Sequence, residues 1–223
     1  GPTQSVTAIE NAAAKLAMEL DETKGDTDRY ASGEATDTYV NDDVAGALAQ
    51  VQTSVTNGLT ALFTATGDYG SDLAGTTTSA LSLVLNGTTT VATTLNATNG
   101  GAIVLSMDGN DVVGKDASGT GDIVFRIELI GTGATAQLQT TLYEALDQPN
   151  DGNDSFDESI DLLTSSGSLG LKYEVTRTDG DDDEIIASDT IVLANTSSSV
   201  FSFDDDGPTQ SVTAIENAAA KLA

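Results

Sequence analysis

Residues 123–129 read Ile-Val-Phe-Arg-Ile-Glu-Leu, and this run indicates the fold class. Every second position is apolar, whereas Arg126 and Glu128 stand between apolar residues. Because successive side chains of a strand point to opposite faces, the alternation predicts a β-strand with one face in a core. Residues 169–175 repeat the pattern, with Lys172 and Glu174 at the outward positions. We therefore predict two amphipathic strands in these stretches.

Weaker strand signals cover much of the remaining chain. They lie at 16–20, 59–63, 79–85, 101–107, 136–142, 185–193 and 199–203. Pairs that favour turns separate them, at Asn57-Gly58, Asn86-Gly87, Asp108-Gly109 and Asp179-Gly180. About ten to twelve short strands with frequent turns predict an all-β fold, which we expect to be an Ig-like or cadherin-like antiparallel β-sandwich.

The segment from Ile9 to Leu20 has two interpretations. The run 12–17, Ala-Ala-Ala-Lys-Leu-Ala, has high helix propensity, whereas Leu16, Met18 and Leu20 alternate as in a strand. We predict an irregular or helical start over 8–14 that passes into an edge strand near 15–21. The polar residues 25–47 are expected to form a long loop or a small insertion.

The first and last seventeen residues are identical. GPTQSVTAIENAAAKLA stands at 1–17 and again at 207–223, which gives a period of 207 − 1 = 206 residues. An identical block of this length indicates a tandem repeat, in which each unit is a module beside its neighbours. We therefore expect one sandwich domain at 1–206 and the start of the next repeat at 207–223. The expected partners are neighbouring repeats of the same chain, and an isolated unit is expected to be monomeric.

The charge of the chain is strongly negative. It has 35 acidic and 8 basic residues, for a net charge of −27, and 25 of the acidic residues are Asp. Because Asp favours turns, much of this charge is expected in loops, where carboxylates can converge on a cation. A solvated, salt-adapted acidic surface is the alternative, and the two can coexist. Nucleic acid is a poor partner because phosphate contacts need Lys and Arg, and an anionic membrane would repel the chain.

Several chemistries are excluded by composition. The chain has no Cys, no His and no Trp, so disulfides, zinc–thiolate sites and imidazole catalysis cannot occur. Without disulfides, a bound metal ion is the remaining kind of cross-link that can stabilise the loops. A pair of carboxylates can serve a glycosidase, but no residue stands out as a buried acid, so we expect no enzyme. No run of the sequence is long and apolar enough to predict a membrane span, and insertion into a membrane is not expected.

Three acidic clusters have the chemistry of a calcium site, because Ca²⁺ takes six to eight oxygen ligands from carboxylates, carbonyls and water. They are the predicted hairpin tip at 178–184, the unit junction at 204–208 and the loop at 151–158, which partly resembles an EF-hand loop but lacks its full spacing. Leu20-Asp21-Glu22, at the end of the first predicted strand, can complete one of them. The candidate metal ligands are Asp21, Glu22, Asp151, Asp154, Asp157, Asp179, Asp181, Asp182, Asp183, Asp204, Asp205 and Asp206. Asp108 and Asp111 form a weaker candidate pair.

The order of these motifs carries a family resemblance. The motifs are Leu20-Asp21-Glu22-Thr23, Asp68-Tyr69-Gly70, 81–87, 123–129, 142–146, Thr178-Asp179-Gly180-Asp181 and a closing 200–208 that ends in Asp-Asp-Asp-Gly-Pro. In this order they resemble the tandem repeats of giant RTX adhesins, which Gram-negative bacteria export by type I secretion. The resemblance covers most of 14–208. It departs at 147–149, where Asp-Gln-Pro stands in place of a segment in which the family often has His.

The resemblance implies a structural role outside the cell. Such repeats are β-sandwich extender units on the bacterial surface, which hold a distal ligand-binding region away from the cell. They are stiffened by Ca²⁺, and the resemblance places that ion at Asp21 and Glu22, at 179–183 and at 204–206. A calcium-dependent module that binds sugar or protein is the alternative, with Tyr30, Tyr39 and Tyr69 as candidate stacking residues.

Overall fold

The computed structural model describes residues 1–22, 45–87, 89–148 and 158–205, which form an all-β structure. Fourteen strands occur in this part of the chain. They are β1 (Thr3–Ala8), β2 (Met18–Asp21), β3 (Ala49–Gln52), β4 (Phe63–Asp68), β5 (Thr76–Asn86), β6 (Thr90–Ala97), β7 (Gly101–Asp108), β8 (Asp111–Lys115), β9 (Ile123–Ile130), β10 (Gln137–Leu142), β11 (Ser159–Asp161), β12 (Ser168–Thr178), β13 (Glu184–Ala194) and β14 (Phe201–Asp204). The helical elements described are short turns at Ala13–Leu16, Leu59–Leu62, Asp116–Gly119 and Gly133–Thr135.

The strands form four sheets. The largest has the strand order β3-β10-β9-β8-β7-β6, and the others are β13-β12-β5, β11-β14-β2 and the pair β1-β4. The pairs are antiparallel except that β2 runs parallel to β14, with Asp21 opposite Asp204. The parallel pair joins the N-terminal segment to the last strand described.

The core lies between the six-stranded sheet and the smaller sheets. The rings of Phe125 on β9 and Phe203 on β14 lie 5.6 Å apart between centroids, and both side chains are fully buried. Thr140 on β10 donates a hydrogen bond to the sulfur of Met18 on β2, at 3.7 Å. Burial of a large apolar side chain stabilises the folded state by about 1.5–3 kcal/mol. The packing of Phe125 against Phe203 therefore stabilises the contact between the two sheets. The predicted all-β sandwich is confirmed.

The two leading sequence patterns predict their strands correctly. The run at 123–129 lies in β9, where Arg126 and Glu128 remain half-exposed and Phe125 and Ile127 are buried. The run at 169–175 lies in β12, with Leu169, Leu171 and Val175 buried. Alternation therefore identified the strands and most of the inward positions.

Two predictions at the level of single elements need correction. Residues 59–62 form a 3₁₀ turn, not a strand, and β4 begins only at Phe63. Leu59 and Leu62 are both buried there, because residues three apart share one face of a 3₁₀ turn. Strands β1, β3, β6, β8 and β11 were not predicted, although β6 alternates strictly between exposed and buried positions.

The ambiguous N-terminal segment combines both of its predicted forms. A 3₁₀ turn at Ala13–Leu16 passes into β2, an edge strand that pairs with β14. Leu16, Met18 and Leu20 are all buried, as their alternation indicates. Most of the predicted loop at 25–47 lies outside the described residues. Its last described part, 45–47, forms a turn together with residue 48.

The N-terminal segment follows the β12–β13 hairpin away from its tip. Thr3 pairs with Asp68 near the tip, the amide of Ala8 donates to Asp189 in the middle of β13, and the amide of Met18 donates to Val200 beyond its end. β2 then continues beside β14. Gly1 and Asp204 therefore lie at opposite ends of this path. Among the described residues, no helix is long and apolar enough to cross a membrane.

Candidate metal centre

The predicted hairpin tip lies between β12 and β13. Thr178 pairs with Glu184, and the amide of Asp179 donates to the carbonyl oxygen of Asp183 at 3.0 Å, which closes the tip. Asp182 has φ of +69°, a left-handed conformation that Asp tolerates better than most residues. The turn folds the chain so that Asp179 and Asp181 face the same neighbouring loop.

That neighbouring loop connects β4 to β5. The register of β5 on β12 places Thr76 opposite Thr178, so the residues just before Thr76 lie against the hairpin tip. A side chain at Gly75 would overlap the carbonyl oxygen of Thr178, and one at Gly180 would come within 2.6 Å of Cβ of Leu73. The two glycines permit the close approach that brings Asp72 to the tip.

Asp72, Asp179 and Asp181 form a cluster that can hold a metal ion. Each offers a carboxylate oxygen, and these oxygens lie within 4.8 Å of one another. In the part of the chain that the structure describes, no other set of three acidic side chains meets at this distance. The spacing suits oxygens that share one cation, because ligand oxygens lie about 2.3–2.6 Å from Ca²⁺.

Asp179 is the buried member of the cluster, with 3% of its surface exposed. Its Oδ1 accepts hydrogen bonds from the amides of Asp183 at 3.0 Å and Asp181 at 3.4 Å. Its Oδ2 is buried and has no hydrogen-bond donor among the described residues. Because an unpaired buried carboxylate oxygen is costly, Oδ2 fits the chemistry of a cation ligand.

The cluster shows the electrostatics of crowded carboxylates. The neighbouring Asp179 carboxyl group is the main cause that raises the pKa of Asp181, which is itself exposed. The Asp181 carboxyl and the amides of Asp183 and Asp181 lower the pKa of Asp179 despite its burial. The ammonium group of Gly1 lies 3.2 Å from Oδ2 of Asp72, and this contact raises the pKa of the ammonium group.

The other predicted ligands of the hairpin tip lie beside the cluster and not within it. Asp182 and Asp183 are outside the group of three close carboxylates, although the amide of Asp183 orients Asp179. Asp72 was missed, because it stands as a single acid in 69–75 with no pattern of its own. Only the pairing of β5 with β12 shows its place, and the neighbouring Asp68-Tyr69-Gly70 motif was the nearest signal.

The predicted junction ligands meet at the other end of the fold. Asp21 pairs with Asp204, and the amide of Glu22 donates to the carbonyl oxygen of Asp204 at 3.2 Å. Glu22 is 4% exposed and accepts a hydrogen bond from the amide of Leu146 at 2.7 Å. The amide of Asp205 donates to the carbonyl of Glu158 at 2.9 Å.

Two buried oxygens at this end have no donor among the described residues. They are Oδ1 of Asp204 and Oε1 of Gln148, whose amide group donates to the carbonyl of Phe203 at 3.1 Å. The structure therefore brings Asp21 and Glu22 beside Asp204. The predicted ligands Asp151, Asp154, Asp157 and Asp206 lie outside the described residues.

Other sequence candidates are engaged elsewhere. Arg126 binds Asp111 at 2.8 Å and Asp108 at 2.6 Å, so a guanidinium group already bridges that pair. The ring of Tyr69 is covered by the guanidinium of Arg177 at 4.7 Å, and its hydroxyl shares a hydrogen bond with Thr77. Tyr30 and Tyr39 lie outside the described residues.

Asp116 is a further buried acid that the sequence did not single out. Its Oδ1 has no hydrogen-bond donor among the described residues, and the side chain packs between Gly100 and Gly121. It belongs to no group of three close acidic side chains in the described ranges.

Comparison with known proteins identifies the family and no individual relative. Residues 17–192 match the family described as Domain of unknown function (DUF5801), and this range includes Asp72, Asp179 and Asp181. No curated protein and no solved structure matches the chain. Because the match covers more than half of the sequence, the chain belongs to the DUF5801 family.

Proposed function

We propose that the chain is a calcium-stiffened extender unit of a large repetitive bacterial surface adhesin. The observation that carries the proposal is the cluster of Asp72, Asp179 and Asp181, with its buried and unpaired Oδ2 on Asp179. Ca²⁺ is the hard cation that suits carboxylate and carbonyl oxygens in a flexible loop site. In the proposed adhesin, the unit acts outside the cell, where Ca²⁺ is millimolar, and reaches the surface by type I secretion.

The proposed mechanism is electrostatic. Without a cation, the carboxylates of the cluster repel one another and favour separation of the 69–75 loop from the hairpin tip. Ca²⁺ neutralises these charges and joins the two loops to each other. The identical blocks at 1–17 and 207–223 support a tandem array. The positions of Gly1 and Asp204 at opposite ends of the described path support units that follow one another lengthwise.

Thermal unfolding tests the proposal. The chain is heated in excess EDTA, in 10 mM CaCl₂ and in 10 mM MgCl₂, at constant ionic strength. If the dissociation constant is about 10⁻⁴ M, ligand linkage stabilises the folded state by about 2.7 kcal/mol, which raises Tm by about 5–10 °C. We expect this rise with Ca²⁺ and a much smaller one with Mg²⁺. An equal shift with both salts would show a solvated acidic surface instead, and the proposal would fail.

A further inference from the structure

Strand β5 forms an edge of its sheet, and the outer side of this edge has no partner among the described residues. It pairs with β12 along its whole length, from Thr76 to Asn86, without a shift of register. The sheet has the order β13-β12-β5, and within the described ranges no strand or isolated bridge meets the other side of β5. Because a strand rises about 3.3 Å per residue, its eleven residues leave an open row of backbone groups roughly 35 Å long.

β5 has none of the features by which natural sheets protect their edges. Protected edges are short, carry charged side chains or Pro, or are bent by a bulge. β5 is eleven residues long, and its sequence TTTSALSLVLN contains no charged residue, no Pro and no Gly. It lies within 73–107, a run without charge in a chain of which 19% is charged. An edge of this kind is a template for a further strand.

The two other edge strands longer than six residues in the described fold are protected. The edge of β6 is covered by another segment, where the amide of Thr94 donates to the carbonyl oxygen of Leu163 at 2.9 Å. The other edge strand, β13, carries Glu184 and Asp189, and Asp189 accepts a hydrogen bond from the amide of Ala8 at 2.7 Å. The open edge is therefore a property of β5 in particular.

The two faces of β5 differ in the side chains that they present. Leu81, Leu83 and Leu85 pack in or against the core, whereas Thr78 and Ala80 are exposed on the opposite face. A strand added to this edge has to continue both faces, because directly opposed residues of an antiparallel pair lie on the same face.

A second copy of the chain supplies a strand that meets this requirement. Antiparallel pairing about a two-fold axis places a strand opposite itself, so β5 of one copy can extend the sheet of the other. With the axis at Leu81, Leu83 lies opposite Ser79 of the second copy, and odd-numbered positions meet odd-numbered ones throughout. Each face is then continued by the same set of side chains, over the same length of strand.

Charge limits contact between two copies to a surface of this kind. Each chain carries a net charge of −27, so most contacts between copies bring carboxylates together. A pair of β5 strands has no charged side chain of its own. On the neighbouring strand β12, Glu174 already forms an ion pair with Lys172.

We propose that β5 is a lateral association edge, at which the β5 strands of two copies of this chain pair antiparallel. The two three-stranded sheets then form one sheet of six strands, in the order β13-β12-β5-β5-β12-β13. The inference goes beyond the proposed function, because it concerns chains that lie side by side and needs no cation. A single strand pair is a small interface, so we expect a dissociation constant on the order of 10⁻⁴ M for one unit. In a tandem array the same edge recurs, and the weak contacts add.

Sedimentation equilibrium tests for the association. The chain is studied in 150 mM KCl, which screens its charge, and in excess EDTA, which prevents Ca²⁺ from bridging two acidic surfaces. At about 10 µM we expect a monomer of 22.7 kDa, and towards about 1 mM we expect the mean mass to approach twice this value. A mass that stays at 22.7 kDa over this range would overturn the proposal.

A pair of matched variants locates the contact. One carries Thr78→Lys with Ala80→Lys on β5, and its control carries Ile186→Lys with Ser188→Lys on β13. The four positions are exposed and belong to the same two cross-strand rows on either side of β12, so both variants add the same charge to one sheet face. We expect the dissociation constant to rise at least about tenfold for the β5 variant only, because lysines of the two copies meet there. An equal change in both variants would contradict pairing at β5.

Hydrogen exchange of the unsubstituted chain identifies what covers the edge, without relying on any variant. Every second amide of β5 points away from β12. We expect protection of 76–86 to increase between about 10 µM and 1 mM, whereas protection of 184–194 stays constant. If all amides of 76–86 are already protected at the lower concentration, another segment of the same chain covers the edge, and the proposal fails.

Discussion

The aromatic rings of Phe125 and Phe203 lie 5.6 Å apart between centroids and are inclined by 39°, across the interface between two sheets. Phe125 belongs to the six-stranded sheet and Phe203 to the strand that precedes the unit junction. The contact therefore couples the main sheet to the end of the chain that carries Asp204.

Phe203→Ala is expected to destabilise the fold by about 3–5 kcal/mol, because it removes a fully buried ring and leaves a cavity between the sheets. Urea unfolding measures the change. Met107→Ala is the control, since Met107 is 40% exposed and its loss is expected to cost no more than about 0.5 kcal/mol. Similar losses for the two variants would contradict the assignment of Phe203 to the core.

Asp179→Asn is expected to remove most of the calcium-induced rise in Tm. Asn keeps an oxygen that can accept from the amides of Asp181 and Asp183, but it lacks the negative charge that a cation needs. Calorimetric melting with and without Ca²⁺ measures the effect. Glu10→Gln removes the same charge from an exposed turn and should retain the full calcium response. A normal response in Asp179→Asn would exclude Asp179 as a ligand.

The calcium response is expected to weaken as pH falls through the raised pKa of Asp181, above the ordinary Asp value of 3.8, because a proton competes with the cation. In EDTA, lowering the pH has the opposite effect on the free energy of unfolding through Asp181. Protonation of Asp181 stabilises the folded state, because it removes the repulsion between the Asp181 and Asp179 carboxylates, and this gain is complete below the ordinary pKa of Asp. At still lower pH, stability is lost as Asp179 is protonated through its lowered pKa. Melting curves at several pH values, in EDTA and in Ca²⁺, follow these effects. Asp181→Asn should reduce both the pH dependence of the calcium response and the part of the pH dependence in EDTA that comes from Asp181. A calcium response of the unsubstituted chain that is independent of pH would argue against Asp181 as a ligand.

Arg126→Gln is expected to destabilise the chain by about 1 kcal/mol at low salt. The substitution leaves Asp108 and Asp111 without the guanidinium group that joins them across the tip of the β7–β8 hairpin. Urea unfolding at 20 mM and 1 M NaCl measures the loss, which should shrink at high salt because screening reduces the repulsion. Lys172→Gln, which breaks a single ion pair of a more exposed cation with Glu174, should cost less. A loss for Arg126→Gln that salt leaves unchanged would point to packing of the side chain instead.

Gly75→Ala is expected to weaken calcium binding without changing any carboxylate. A methyl group at this position would overlap the carbonyl oxygen of Thr178, so the loop that carries Asp72 must move away from the hairpin tip. Titration calorimetry with CaCl₂ measures the affinity, which we expect to fall at least tenfold. The control is Ala74→Ser, an exposed neighbour whose substitution should have no effect. Unchanged affinity in Gly75→Ala would show that Asp72 does not contribute to the site.

The sequence predicted the strands whose side chains alternate clearly and the turn between two of them. In β9 and β12, charged residues separate apolar ones, and such a pattern is satisfied only when one face is buried. The hairpin tip at 179–183 was predictable for the same reason, since two amphipathic strands flank a run rich in Asp and Gly. The 3₁₀ turn at Leu59–Leu62 was not, because a short apolar run fits several backbone conformations.

Local patterns in the sequence are enough to predict the period-two strands, the acidic turns and the repeat of residues 1–17 at 207–223. Which acidic residues meet depends instead on how distant strands pair. Asp72 reaches Asp179 and Asp181 because β5 pairs with β12 in a register that places Thr76 opposite Thr178. Asp21 reaches Asp204 because β2 pairs in parallel with β14, some 180 residues away in the chain. Pairing between distant strands depends on how all their side chains share one core, and no local pattern contains that information.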